Sequence, residues 1–384
     1  MNKKIGIITI HKSSNYGASL QSYALWQYIS SLGHDCEIID LLRPPHSEFI
    51  PSRKYKSYTS RCIKKRIGSF VKKFIGIKKE SKNNIALSLE QKRLKERFDE
   101  FDASIKMSVP YRQIDELYKT PPLYDIYITG SDQLWNPAQP FCIEPYFLTF
   151  APKDKLRLSY AASIGIEKLS YKVKVDFARW LPQFHAVSVR EEQAKKILIK
   201  IVDKEIEVMA DPTFLIDISE WNAFAVKPDI KDKYLFLYTL HPNIELINYA
   251  IKLKDEKGYR LVVCSIIPSP RNDKEYYSVL DAGPKEFLGW IANAEMVITN
   301  SFHGTVFSIL LGARNFYSFI PSENKRGSRI RNLLQTFSLE KHLLNNMLCQ
   351  SYKELESNLI DRKKVVNIIL QEQERSCGFL KKYL

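Results

Sequence analysis

The chain of 384 residues has no C-x-x-C pair, no G-x-G-x-x-G fingerprint and no apolar run approaching the ~18 residues of a membrane-spanning helix. The six cysteines (Cys36, Cys62, Cys142, Cys264, Cys349, Cys377) are scattered. They offer neither a zinc signature nor a dense disulfide framework, and a reduced cytoplasm is the simplest compartment. With 14 Gly and 18 Pro, the chain is too poor in both for a fibrous or disordered class. The apolar Ile5–Ile10 is too short for a signal-peptide core, lacks a small-residue cleavage site and reads as a first strand. What is abundant is apolar residue (45%), aromatic residue (12%) and positive charge, a formal +15. A chain of this length exceeds the ~250–300 residues that one hydrophobic core usually serves, so two domains are expected.

Short β-branched runs alternate with helical patterns, the order expected of parallel strands joined by helical crossovers. Strands are expected at Ile5–Ile10, Glu37–Leu41, Asp125–Thr129, Arg157–Ala161, Ala186–Val189, Glu207–Ala210, Tyr234–Leu240, Arg260–Ser265, Met296–Thr299 and Phe316–Phe319. Apolar spacing near 3.6 predicts helices at Ala18–Leu32, Ser88–Phe101, Val173–Leu181, Ile244–Lys257, Thr305–Leu311 and Leu355–Leu370. The expected division is an N-terminal domain over 1–185, a C-terminal domain over 186–350 and a C-terminal helix over 351–384, which could pack on either domain.

The charge is local. Arg53–Lys82 holds twelve Lys/Arg against the single acid Glu80, eleven of the fifteen net charges. Ile63, Ile67, Phe70, Val71 and Phe74 fall at helical spacing within it, the profile of a helix lying at an anionic membrane surface. A solvated insertion whose stripe packs on its own domain is the competing reading. Nucleic acid is disfavoured, because the run lacks the interleaved aromatics on which bases stack.

Four strand ends carry polar clusters, and the carboxyl edge of an open parallel sheet is where ligands bind. His11-Lys12-Ser13-Ser14-Asn15-Tyr16-Gly17-Ala18 precedes a helix whose free amides suit an anion, although Asn15 and Gly17 also favour turns. Thr129-Gly130-Ser131-Asp132-Gln133-Leu134-Trp135 carries one carboxylate, Asp132, either a turn acceptor or a general base toward a substrate hydroxyl. Arg190 ends a strand and suits bidentate anion recognition, or a local salt bridge to Glu191 or Glu192. His303 lies between a strand and a helix, among Asn300, Ser301 and Thr305. A lone histidine is more often structural, but this clustering raises a catalytic role to comparable standing.

With Asn15-Tyr16-Gly17-Ala18-Ser19-Leu20-Gln21, Gly130-Ser131-Asp132-Gln133-Leu134-Trp135, Ser188-Val189-Arg190-Glu191, Asp211-Pro212-Thr213, Thr299-Asn300-Ser301-Phe302-His303-Gly304 and Ser328-Arg329-Ile330 in this order, the chain resembles the polysaccharide pyruvyl transferase family. The first and the His303-containing motifs are specific in combination, though each is weak alone. The resemblance implies an α/β architecture of two Rossmann-like parallel-sheet domains facing a cleft, similar to glycosyltransferase-B. It also implies transfer of pyruvate from phosphoenolpyruvate onto two hydroxyls of a sugar in a cell-surface polysaccharide precursor, forming a ketal.

His303 matches the family's catalytic histidine and Arg190 the arginine that holds the donor. Arg329 is expected as a second anion clamp, with Ser301, Gly304 and Thr305 near the phosphate. Asp132 is expected as the base for the acceptor, which Asn15, Tyr16, Gly17, Gln133 and Trp135 would contact. No cofactor or metal is expected beyond phosphoenolpyruvate as co-substrate. Expected partners are a saccharide that a lipid carrier could present and, through 53–82, an anionic membrane, placing the enzyme in the cytoplasm or at the inner face of the plasma membrane. A nucleotide-sugar glycosyltransferase and a non-catalytic basic binding module are the alternatives.

Deleting Arg53–Lys82 should weaken binding to anionic liposomes while leaving turnover of a soluble acceptor largely intact. Equal liposome binding by the deletion would remove the membrane role.

Overall fold

The computed structural model describes residues 2–59, 88–240, 243–265, 275–321, 327–344 and 348–384. Residues 60–82 of the basic segment, and with them the expected amphipathic helix, lie outside the described residues. The chain forms two parallel sheets. The first has six strands, β1 Lys4–Ile8, β2 Asp35–Ile38, β3 Ile126–Thr129, β4 Leu156–Ala162, β5 Ala186–Val189 and β6 Ile206–Val208, in the order β2-β1-β3-β4-β5-β6. The second has five, β7 Tyr234–Thr239, β8 Arg260–Ser265, β9 Tyr277–Val279, β10 Met296–Thr299 and β11 Phe316–Ser318, in the order β11-β10-β7-β8-β9. All four residues of β3 and all six of β7 are buried, as expected of parallel strands covered on both faces.

The expected boundary at 185/186 is corrected by this topology. β5 pairs with β4 (Leu158 opposite Ala186) and β6 with β5 (Val187 opposite Ile206), so both belong to the first sheet. The apparent break before Ala186 is a short 3-10 turn, Leu181–Gln183, at the end of the helix Tyr171–Trp180. The crossover lies instead after β6, through the 3-10 turn Pro212–Leu215. The expected C-terminal helix is two, Tyr352–Ser357 and Arg362–Tyr383. The second returns to the first domain, where Arg375 donates to the Val208 carbonyl and the Phe379 ring lies 6.3 Å from that of Tyr160 on β4.

The helix Tyr16–Ser31 joins the two halves. Asn15 caps it, its side-chain oxygen accepting from the Gly17 and Ala18 amides at 3.1 and 3.3 Å. Eleven of its sixteen residues are buried, which a helix achieves only when covered on nearly every side, here by both domains. The small residues Ala18, Ser19, Ser22 and Ala24 permit that close approach. Tyr16 enters the second domain, stacking on Phe287 at 4.4 Å and donating its hydroxyl to the Ala282 carbonyl at 2.9 Å. Tyr23 stacks on Phe224 at 5.2 Å, and the neighbouring Trp221 is fully buried, as its size requires. A second bridge is the helix Leu89–Ala103, whose Arg97 donates to the Asp281 carbonyl at 2.6 Å and pairs with Glu286 at 3.4 Å.

Tyr16→Phe, which removes one buried hydrogen-bond donor, should cost about 1–2 kcal/mol, and Tyr16→Ala, which also removes the ring, about 3–5 kcal/mol. Denaturant unfolding checks both values, and wild-type midpoints for both would refute the anchor.

Candidate active site

Three strand ends at the carboxyl edge of the first sheet carry non-glycine residues with left-handed backbone: Lys12 (φ 45°), Asp132 (φ 71°) and Ala161 (φ 48°). Such residues are uncommon and cost ~1–3 kcal/mol each, so the surrounding contacts must hold them. Ser131 Oγ donates to the Ala161 carbonyl at 2.8 Å, and the Ser163 amide donates to the Asp132 carbonyl at 2.9 Å. Together these turn the Asp132 side chain toward the end of β5.

Arg190 follows β5 and is buried. Its Nη1 donates to Asp211 Oδ2 at 2.6 Å and its Nη2 to Asp132 Oδ1 at 3.3 Å. The local salt bridge to Glu191 or Glu192 does not form. Glu191 instead accepts from Ser163 Oγ and the Ile164 and Gly165 amides at 2.9–3.0 Å, fixing the loop after β4. Asp211 stands just beyond β6, with Oδ1 accepting from the Thr213 amide at 3.2 Å and hydroxyl at 2.9 Å.

The second domain contributes His303 at the start of the helix Phe302–Leu310. Its Nε2 lies 3.3 Å from Asp211 Oδ2, and since a carboxylate only accepts, Nε2 carries a proton. The other face of the ring meets Gly17, where an added Cβ would stand 2.1 Å from Nδ1. Glycine is therefore required at 17 by the close approach of the two domains at the imidazole.

Burial raises the pKa of Asp211, but His303 and Arg190 outweigh it and hold the carboxyl well below the usual range. Asp132 is likewise held low, burial being outweighed by Arg190, His303 and Arg329. Burial disfavours the Arg190 charge, but Asp211 and Asp132 more than restore it.

Phe302 presents its ring to two guanidiniums, Arg190 at 4.5 Å and Arg329 at 5.5 Å, a cation–π arrangement that helps offset their desolvation. Arg329 comes from the helix Ser328–Thr336 and reaches the first domain. With the Gln133 amide oxygen turned toward it, Gln133 accepts from Nη2 at 2.8 Å and Nη1 at 3.2 Å. Three arginines, Arg190, Arg329 and Arg375, and three acids, Glu192, Asp211 and Glu372, line with Phe302 a cavity of about 150 Å³ between the domains. Among the described residues no group of three or more His, Cys, Asp or Glu could hold a metal ion.

Thus His303, Arg190, Asp132, Arg329 and Gln133 are brought together, and Gly17 touches the imidazole. Other expected site residues are placed in supporting structure. Ser301 caps the His303 helix by accepting from the Gly304 amide at 3.2 Å. Gly304 packs on Thr299 and Tyr238, and Thr305 Oγ1 bonds the Ser301 carbonyl at 3.0 Å and Ser318 Oγ at 2.7 Å. Asn15 is a helix cap and Tyr16 an interdomain anchor. Trp135 is fully enclosed, stacking on Phe147 at 4.7 Å and donating to the Tyr146 carbonyl at 2.9 Å. Asp211 and Phe302 appear in the motifs but had no assigned role. A carboxylate set just before Pro212 at a strand end was the available sign for Asp211.

Two parallel-sheet α/β domains facing a cleft, with a cluster of carboxylates, guanidiniums and an imidazole between them, define a protein of glycosyltransferase-B-like architecture. A family model described as polysaccharide pyruvyl transferase matches residues 15–317, and the chain belongs to that family. No curated protein matches. Among solved structures, an alpha-glucosyltransferase in complex with UDP and a 13-mer DNA is similar in fold, with 11% identity, TM-score 0.52 and coverage of 100% of this chain and 99% of that one. The UDP-GlcNAc 2-epimerase from Methanocaldococcus jannaschii is similar too, with 12% identity, TM-score 0.50 and coverage of 96% and 99%. No helix among the described residues is long and apolar enough to cross a membrane.

Asp211→Asn leaves Arg190 with a buried charge and one carboxylate fewer, so it should cost about 3–5 kcal/mol at pH 7. A depressed folded-state pKa contributes stability above the unfolded value of about 4, and that contribution is lost as pH falls toward the folded value. The gap between variant and wild type should therefore be full at pH 7 and shrink below pH ~4. Urea unfolding across that range measures it, and a pH-independent gap would contradict the ion-pair assignment.

Proposed function

We propose that the enzyme takes pyruvate from phosphoenolpyruvate and joins it to two hydroxyls of a saccharide as a cyclic ketal, releasing phosphate. The observation that carries this reading is the convergence of Arg190 and Arg329 on one small interdomain cavity beside His303 and Asp132. At about 150 Å³ the cavity falls below the ~300–1,000 Å³ of sites for drug-sized ligands, which favours a compact anion over a nucleotide sugar.

In this mechanism His303, oriented by Asp211, delivers a proton to the donor's methylene carbon. The adjacent carbon becomes oxocarbenium-like, and a sugar hydroxyl attacks it while Asp132 receives the hydroxyl proton. The bond from that carbon to the phosphate oxygen then breaks, phosphate departing between the guanidiniums, and a second hydroxyl closes the ring, its proton passing to the now neutral His303. Arg190 and Arg329 stabilise the charge on the departing phosphate, and their placement before the reaction is what makes them effective. Asp132 is 15% exposed and the less buried of the two carboxylates on Arg190, so it is the one free to turn toward an acceptor.

His303→Gln and Arg329→Ala should each lower phosphate release by at least about 10²-fold with a competent acceptor. Phosphoenolpyruvate at 100 times its Kd should stabilise the protein by about 2.7 kcal/mol. Near-wild-type phosphate release by His303→Gln, or stabilisation by a nucleotide sugar in place of phosphoenolpyruvate, would overturn the proposal.

A further inference from the structure

A second and larger concavity lies on the first domain. It is an open groove of about 840 Å³ between the helix Leu89–Ala103, the loop Lys12–Ser14 and residues 46–48. Its size is at the upper end of the range for ligand sites, with room for more than one sugar ring.

Its charges are largely spent on one another. Lys12 pairs with the buried Asp40, Lys95 with Asp99 of the same helix, and Glu48 with Arg112 at 3.1 Å. Asp40 also faces His11 Nε2 at 2.8 Å, which fixes the loop behind Lys12. A groove with its cations already paired is poorly suited to a polyanion. Asp102 differs from the other acids. Its Oδ1 is buried without a hydrogen-bond partner among the described residues, and desolvation raises its pKa to about 7, with Lys12 the nearest offsetting charge. Such an oxygen lacks a donor in the free protein, and once the carboxyl turns toward the groove a neutral hydroxyl supplies one at no cost in buried charge. Exposed Ser14 and Gln91 add polar contacts, while Leu94 and Phe98 give an apolar edge for the C–H face of a ring.

The groove and His303 share structural elements. Lys12, Ser13 and Ser14 line it, and Gly17, three residues on, abuts His303. Phe98 packs on Tyr16 at 5.4 Å, and the helix that carries Asp102 is pinned to the second domain by Arg97. We infer that this groove holds the acceptor as an uncharged, hydroxyl-rich oligosaccharide chain, with Asp102 accepting from a hydroxyl of a sugar beyond the one that is modified. The inference rests on the saccharide acceptor of the proposed function and names its chain as the substrate class.

The test uses the full chain with phosphoenolpyruvate and neutral mono- to hexasaccharides of glucose, galactose, mannose and N-acetylglucosamine. Chain binding is read by saturation-transfer NMR, and KM and kcat by phosphate release. The expected result is a KM that falls from mono- to trisaccharide in the wild type. Asp102→Asn and Gln91→Trp, the latter a block on the exposed lip, should each raise the trisaccharide KM about tenfold or more with kcat within twofold. Thermal stabilisation by phosphoenolpyruvate should not change in either variant. A KM independent of chain length, unaltered KM in both variants, or binding of none of these chains overturns the groove. Loss of the phosphoenolpyruvate shift in the wild type would instead overturn the donor reading, so the two failures are distinguishable.

Discussion

Asp211 has none of its side chain exposed, and a carboxylate so placed persists only where cations meet it. Removing each ion from water costs several kcal/mol, so its partners must be close and well aimed. Arg190, at the end of β5, and His303, from the second domain, answer the same oxygen. Because Asp211 itself stands where the chain leaves the first sheet, its coordination is complete only when the domains are closed on each other. Formation of this buried cluster and closure of the interface are one event. Gly17 serves the same closure from the other side, since any larger residue would hold the imidazole away.

The architecture was legible in the sequence wherever an element is buried on both faces. Continuous apolar runs such as Tyr234–Leu240 and Met296–Thr299 have no other stable placement than a covered parallel sheet, and they appear as β7 and β10. The domain boundary was not legible, because Ala186–Val189 looks the same whether it closes one sheet or opens another; only pairing with β4 decides. The helix carrying His303 begins at Phe302 rather than Thr305 because Ser301 caps it, a tertiary detail of one hydroxyl.

The site was legible in part for a related reason. Arg190, Asp132 and His303 are charged or titratable groups at strand ends, which a one-dimensional reading can single out. Tyr16 and Trp135 stand in the same motifs and look equally suited to a ligand, yet they pack against Phe287 and Phe147. An aromatic ring beside a site can serve substrate or interior, and the sequence around it is alike in both cases. Asp211 lacked a role for the opposite reason, since its importance lies in partners far away along the chain. The large groove on the first domain is likewise a property of the assembled surface, because it gathers residues from 12–14, 46–48 and 91–107.

The return of the helix Arg362–Tyr383 to the first domain means that the chain crosses between the domains twice, once after β6 and once along this helix, whose Arg362 donates to the Ala313 and Arg314 carbonyls and whose Arg375 donates to the Val208 carbonyl. A body joined to another by one covalent strand can swing in any direction, whereas two separated strands define an axis. The two links leave the domains fewer relative orientations than one link would.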